Sequence, residues 1–209
     1  MANENPSVRE LNDQTIVDLF NASLVVQNAV EKNGVETVLM TSVELREKVA
    51  KAAVHLAKLL QSNKKSVLIL NLDYQTSEFI ESYFTAPEEK KEFIEVLDSE
   101  DYLSEAIFKT QYSGLDFTVI EEYDDREFIN LMLSSDLKER LVPIREYYDV
   151  ILLVGPNHKT FLKYGNIFNL ADAVIPVVDA KKNKGSELKQ LVDEYRGFNL
   201  RNLGVLRGK

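Results

Sequence analysis

Few residues in this chain have the type and spacing to do chemistry. Asp73 stands just beyond the apolar run Ser66–Asn71 (SVLILN) and could cap a helix, contact a partner or belong to an acidic site. Arg46, Lys48 and Lys51 lie beside Glu44 and Glu47. They could gather an anion, yet opposite charges three and four residues apart fit a solvated helix face better. His158 follows Gly155-Pro156-Asn157 and could act as a base, but no nucleophile or partner motif accompanies it, and it reads as an ordinary loop histidine. Lys181-Lys182-Asn183-Lys184-Gly185 is the strongest basic run, with Ser186 placed to cap the helix that follows. It could touch anionic lipid or an acidic partner, and its composition fits a solvated turn. Tyr147-Tyr148 leads into a hydrophobic strand and is assigned to packing rather than to modification.

Composition narrows the chemistry further. The chain has no cysteine and only His55 and His158, so a thiolate site is excluded and no metal or other cofactor is expected. Its 34 acidic and 25 basic residues give a formal charge of −9, which disfavours a nucleic-acid surface, because phosphate neutralisation needs clustered cations. The start MANENPSVRE lacks the pattern of a signal peptide, and no apolar run reaches the roughly 18 residues of a membrane span. These features predict a soluble, cytoplasmic protein. With 209 residues, 44 % of them hydrophobic, one domain over residues 1–209 is expected, opened by a helical segment over 1–34.

The elements that must position these residues alternate between helical and β-branched patterns. A helix is expected from about Val8 to Lys32, stopped by Asn33-Gly34, then a strand Thr37–Thr41 and a helix from Val43 to Gln61. The strand Ser66–Asn71 follows, then two short amphipathic helices between Pro87 and Lys109, and a strand Phe117–Ile120 after a Ser113-Gly114 turn. Helices are expected near Asp125–Leu133 and Asp136–Tyr147, the second divided or kinked by Pro143. Strand Val150–Val154 is the most hydrophobic segment and should be central. A helix Thr160–Asn169, a strand Ala173–Val178 whose Pro176 must face a bulge or edge, a helix Ser186–Tyr195 and a strand Leu203–Leu206 complete the order. Together they predict an α/β, doubly wound, mostly parallel sheet with helices on both faces, where ligands bind beyond the carboxyl ends of the strands.

Several segments, in order, resemble the MinD/ParA-like P-loop ATPase superfamily and, more closely, the ATPase domain of bacterial tyrosine kinases of exopolysaccharide and capsule synthesis. VLMTS followed by a helix with His55-Leu56-Ala57 is similar to that family's first strand, phosphate loop and helix. VLILNLDYQ resembles its second acidic motif, and LLSS-like LMLSSDLKERLVPIREYYDVILLVGP its Walker B passage. DYLSEAIFKTQYSGLDFTVI and NLADAVIPVVDAKKNKGSELKQ match two further passages, so the likeness runs from about Leu11 onward.

A working phosphate loop needs glycines, a Lys for phosphate oxygens and a Ser or Thr for magnesium. Between Ser42 and Lys51 there is no glycine, and the resemblance aligns Val49 with the phosphate Lys and Ala50 with the magnesium-binding hydroxyl. It aligns Asn71 and Asp73 with the paired carboxylates of the second acidic motif, Val154 with the Walker B Asp, and Arg207 or Gly208 with the adenine-contacting Asn. No Arg lies between Arg9 and Arg46, so the family's Arg-dependent ring is not expected, leaving another homo-oligomer open. The nine tyrosines are dispersed rather than gathered as in the tail that the kinases phosphorylate. The resemblance thus implies a non-catalytic module in exopolysaccharide or capsule biosynthesis, with no catalytic residue, acting on a membrane polysaccharide co-polymerase or related assembly. The alternatives are a divergent ATP-binding kinase or ATPase and a MinD/ParA-like positioning or secretion accessory.

Overall fold

The computed structural model describes residues 13–42, 45–85, 90–156, 168–179 and 185–208. His158, the run 181–184 and most of the helix expected over Thr160–Asn169 lie outside the described residues. Helix α1 (Asp13–Asn33) stops where Gly34 takes φ +63°, a left-handed conformation that glycine adopts without Cβ strain. Then come β1 (Thr37–Ser42), α2 (Arg46–Ser62), β2 (Val67–Asn71), α3 (Ser77–Glu81) and α4 (Phe93–Asp98). The short strands β3 (Phe108–Lys109) and β4 (Leu115–Phe117) precede α5 (Asp125–Ser134), α6 (Leu137–Arg145) and β5 (Val150–Val154). The chain continues through β6 (Ala173–Asp179), α7 (Gly185–Gly197), β7 (Arg201–Asn202) and β8 (Leu206–Gly208).

The sheet runs β3-β4-β2-β5-β1-β6-β7, with β8 beside the second half of β6. Only the β3–β4 pair is antiparallel among the described strands. β5 is central, as its hydrophobicity requires: Ile151 pairs with Thr37 on one side and Leu68 on the other. Side chains alternate between the two faces. Leu39, Leu68, Leu70, Ile151 and Leu153 join one apolar cluster with Val96, Phe128 and Leu141 of α4, α5 and α6. Val38, Met40, Ile69, Leu152 and Val154 join the other, with Val26 of α1 and Val49, Ala53 and Leu56 of α2. Each fully buried Leu or Val contributes roughly 1.5–3 kcal/mol, whereas an exposed ion pair contributes ~0–1, so these two clusters hold the fold.

Pro176 sits inside β6 rather than at an edge, and its missing N–H is tolerated for a local reason. Leu203 N–H donates to Val174 O, so β6 residues two apart face the β7–β8 side. Pro176 faces that side where β7 has ended and β8 has not begun, because Asn202 Oδ1 accepts from Gly204 N–H and Gly204 turns at φ +123°. The expected strand Leu203–Leu206 is therefore two strands flanking a turn.

Other expectations shift by a few residues. The strand expected at Phe117–Ile120 is β4, Leu115–Phe117. It starts directly after Gly114 and ends where the Thr118 hydroxyl, rather than a backbone carbonyl, accepts from Asn71 N–H. α2 starts at Arg46, the second of the two short helices is a 3₁₀ turn over Leu103–Ala106, and Pro143 lies within α6. Ser186 lies inside α7, which begins at Gly185, and is not its cap.

Candidate functional site

Because β2, β5 and β1 are neighbours, the carboxyl ends of three distant segments meet. Val154 is the register partner of both Met40 and Asn71, and Leu72 N–H donates to Val154 O at 2.8 Å. Thr41 Oγ1 donates to Pro156 O at 2.9 Å, and Gly155 N–H donates to Met40 O. The end of β1 enters α2 through Ser42, whose Oγ accepts from Leu45 N–H at 2.7 Å. Thr41–Ser42, the start of α2, Asn71–Asp73 and Val154–Pro156 thus form one site, as the topology rule predicts. Arg207 and Gly208 lie at the same end of the sheet, two strands from β1, paired with Val178 and Asp179 of β6.

The side chains aligned with nucleotide contacts face inward. Val49 and Ala50 are the fourth and fifth residues of α2, 1 % and 0 % exposed, in the same apolar cluster as Met40 and Val154. α2 is already helical at Arg46, three residues before Val49. Asn71 is fully buried with its amide in use: Nδ2 donates to Ser77 Oγ at 3.1 Å, while Oδ1 accepts from Asp73 N–H and Thr76 Oγ1, both at 3.0 Å.

Asp73 is buried and caps the 3₁₀ turn Tyr74–Thr76, its Oδ1 accepting from Gln75 N–H. The capping expectation holds. Arg46 Nη1 lies 3.2 Å from the same Oδ1, while Oδ2 has no hydrogen-bond partner. Burial pushes the carboxyl above its ordinary range; the Arg46 charge and the Gln75 N–H pull it back only in part. Arg46 is therefore not a solvated cation beside Glu47, as its spacing suggested, but the partner of a buried carboxylate 27 residues away. Nothing local in the sequence marks this pair.

His55, nine residues further along α2 than Arg46, packs edge-on against Tyr83. Burial, with the charges of Lys58 and Lys51, lowers its pKa to about 4, so it is neutral at physiological pH. Of the tyrosine pair, Tyr148 donates to Asp116 Oδ2 at 2.6 Å, but Tyr147 is 74 % exposed and is not packing. Among the described residues no three His, Asp or Glu side chains gather as a metal site, and no helix is long and apolar enough to cross a membrane.

A family model described as an AAA domain matches residues 47–202, well over half the chain. The chain belongs to this AAA domain family. No curated protein sequence matches it. Among solved structures it is similar to the VpsO kinase domain, at 18 % identity and a TM-score of 0.73 over 94 % of this chain and 96 % of that one. It is similar to the kinase domain of the Escherichia coli tyrosine kinase ETK, at 14 % identity and a TM-score of 0.74 over 88 % and 71 %. A plasmid partition protein from Borrelia burgdorferi follows, at 21 % identity and a TM-score of 0.58 over 82 % and 76 %. The fold of this AAA domain is thus the P-loop ATPase fold of bacterial tyrosine kinases and MinD/ParA-like proteins.

Proposed function

We propose that this chain is a non-catalytic pseudo-ATPase, an interaction and regulatory module of exopolysaccharide or capsule biosynthesis. It would work in the cytoplasm, at the inner face of the membrane, through a polysaccharide co-polymerase or related assembly. One observation carries the reading: the strand ends that would receive a nucleotide are filled from within. Val49, Ala50 and Val154 are packed in the core, the Asn71 amide is committed to its own loop, and Arg46 neutralises Asp73. The residues present do not fit a magnesium nucleotide. A charge-assisted hydrogen bond is worth roughly 1.5–3 kcal/mol, so three missing ones weaken binding by about three to six powers of ten.

A divergent ATP-binding kinase draws its support from the unpartnered Asp73 Oδ2, and a MinD/ParA-like positioning or secretion accessory from the likeness to the partition protein. Incubation with magnesium ATP separates the leading reading from the first of these. Phosphate release and phosphotyrosine should stay at the level of buffer alone. Turnover that disappears in Asp73→Asn would replace the proposal with the kinase reading.

A further inference from the structure

At the end of the sheet away from Asn71 and Val154, a cavity of about 1170 Å³ opens where β2 and β4 begin, with Ser66, Gly114 and Asp116 among its lining residues. Its walls are the segment from Leu97 to Ser104, the α5–α6 turn, and α6 with the tyrosines that follow it. We propose that this cleft is a docking site for a basic peptide segment of a partner protein. The proposal does not depend on whether the opposite end of the sheet holds a nucleotide.

Size and shape argue first. Small-molecule pockets occupy roughly 300–1,000 Å³, and this cleft exceeds that range, as a groove for several residues of extended chain would. Its rim carries Tyr102 and Tyr147, 78 % and 74 % exposed, more than any other large apolar side chain among the described residues. Exposed tyrosine rings offer faces for the aliphatic stems and cationic heads of Arg and Lys, and tyrosine is enriched at protein interfaces.

Charge fixes the kind of peptide. Five carboxylates and three cations line the cleft. Of these cations, Arg140 donates to the carbonyls of Val96, Leu97 and Asp101, which holds the wall, Lys90 is also engaged, and Lys109 is exposed with no ion-pair partner among the described residues, one cation against the three carboxylates that follow. Asp98, Glu100 and Asp136 are exposed and have no ion-pair partner among the described residues. Asp136 takes φ 45° at the start of α6 without capping it, which leaves its carboxylate available. An anionic lipid or nucleic acid would meet net repulsion here, whereas a cationic chain would not.

Two further observations point to a ligand. Ser135, which lines the cleft, is 8 % exposed and its hydroxyl has no hydrogen-bond partner. A buried hydroxyl in this state at a cleft wall is a hydrogen-bonding group that the fold itself does not use. The wall is also pre-formed: besides Arg140, Lys91 bridges Asp101 and Glu105, both at 2.8 Å, and Tyr148 is tied to Asp116. A rigid groove loses little freedom on binding.

Fluorescein-labelled octa-arginine, followed by anisotropy at physiological salt, tests the proposal, with octa-glutamate as control. Octa-arginine should bind and octa-glutamate should not. Tyr102→Ala with Tyr147→Ala should weaken binding about tenfold. Asp98→Asn, Glu100→Gln and Asp136→Asn together should weaken it and flatten its salt dependence. Neutralising Glu187, Asp193 and Glu194 on α7 removes the same number of charges elsewhere and should leave binding within about twofold. Equal weakening by the two triple variants would mean diffuse attraction to an acidic protein and would overturn the site. So would displacement of the peptide by a neutral glucose oligomer, which would make the cleft a carbohydrate site.

Discussion

Replacing Arg46 by Ala should destabilise the protein by about 2–3 kcal/mol at about pH 8 and by much less at about pH 4. Breaking a buried ion pair leaves its partner charged and unsolvated, at about 3–5 kcal/mol; Arg46 is 26 % exposed, which places this case lower. The sign follows from Asp73. Its folded pKa lies above the ordinary 3.8, because burial penalises the carboxylate more than Arg46 and Gln75 favour it. A raised carboxyl contributes most when protonated, below its unfolded value, and that contribution is lost as pH climbs through the folded value. Without Arg46 the folded value rises further and the loss is deeper. The gap between variant and parent therefore opens above the ordinary carboxylate range and is full at alkaline pH. Urea melts at the two pH values measure it, and for a domain of this size the alkaline loss is roughly 5–10 °C in Tm. A gap of the same size at both pH values would mean that Arg46 acts through packing alone.

The second large effect is expected from Val154→Asp, the substitution that would rebuild a Walker B carboxylate. Val154 is fully buried, between Met40 of β1 and Asn71 of β2, in the cluster with Val49 and Ala50. Arg46, a cation at this end, already pairs with Asp73. A new carboxylate there would be desolvated and unpaired, a loss on the order of 4 kcal/mol or more, large against a typical domain stability of about 5–15. Poor accumulation or a collapse of Tm at neutral pH is expected, partly relieved in acid where the group protonates. Val154→Thr, which adds a hydroxyl but no charge, should be far milder. A Val154→Asp protein with parental Tm at neutral pH would show that this end of the sheet is wet and ready for a cation.

The parts of this fold that could be read in the sequence share one physical cause. β1, β2 and β5 are apolar at almost every position because both faces of a parallel sheet are covered, and that produces continuous runs such as VLMTS and VILLV. Gly34 and Asp73 were readable because a helix stop and a cap are local chemistry. What escaped is set by partners far along the chain. β4 ends where the side chain of Thr118 meets Asn71, and the last strand breaks at Gly204 opposite Pro176. Helical spacing pairs Arg46 with residues of its own helix, and only the fold brings it to Asp73. The tyrosine-rimmed cleft draws residues from Ser66 to Tyr148, and no periodicity connects them.

Thermal unfolding in millimolar magnesium ATP, and separately magnesium ADP, against magnesium alone tests the filled strand ends most directly. The account predicts superimposable melting curves. A ligand at 100 times its Kd adds about 2.7 kcal/mol, or roughly 5–10 °C for a domain of this length. A rise of that size with either nucleotide would show that a triphosphate or diphosphate finds room beside Val49, Ala50 and Val154, and would contradict it.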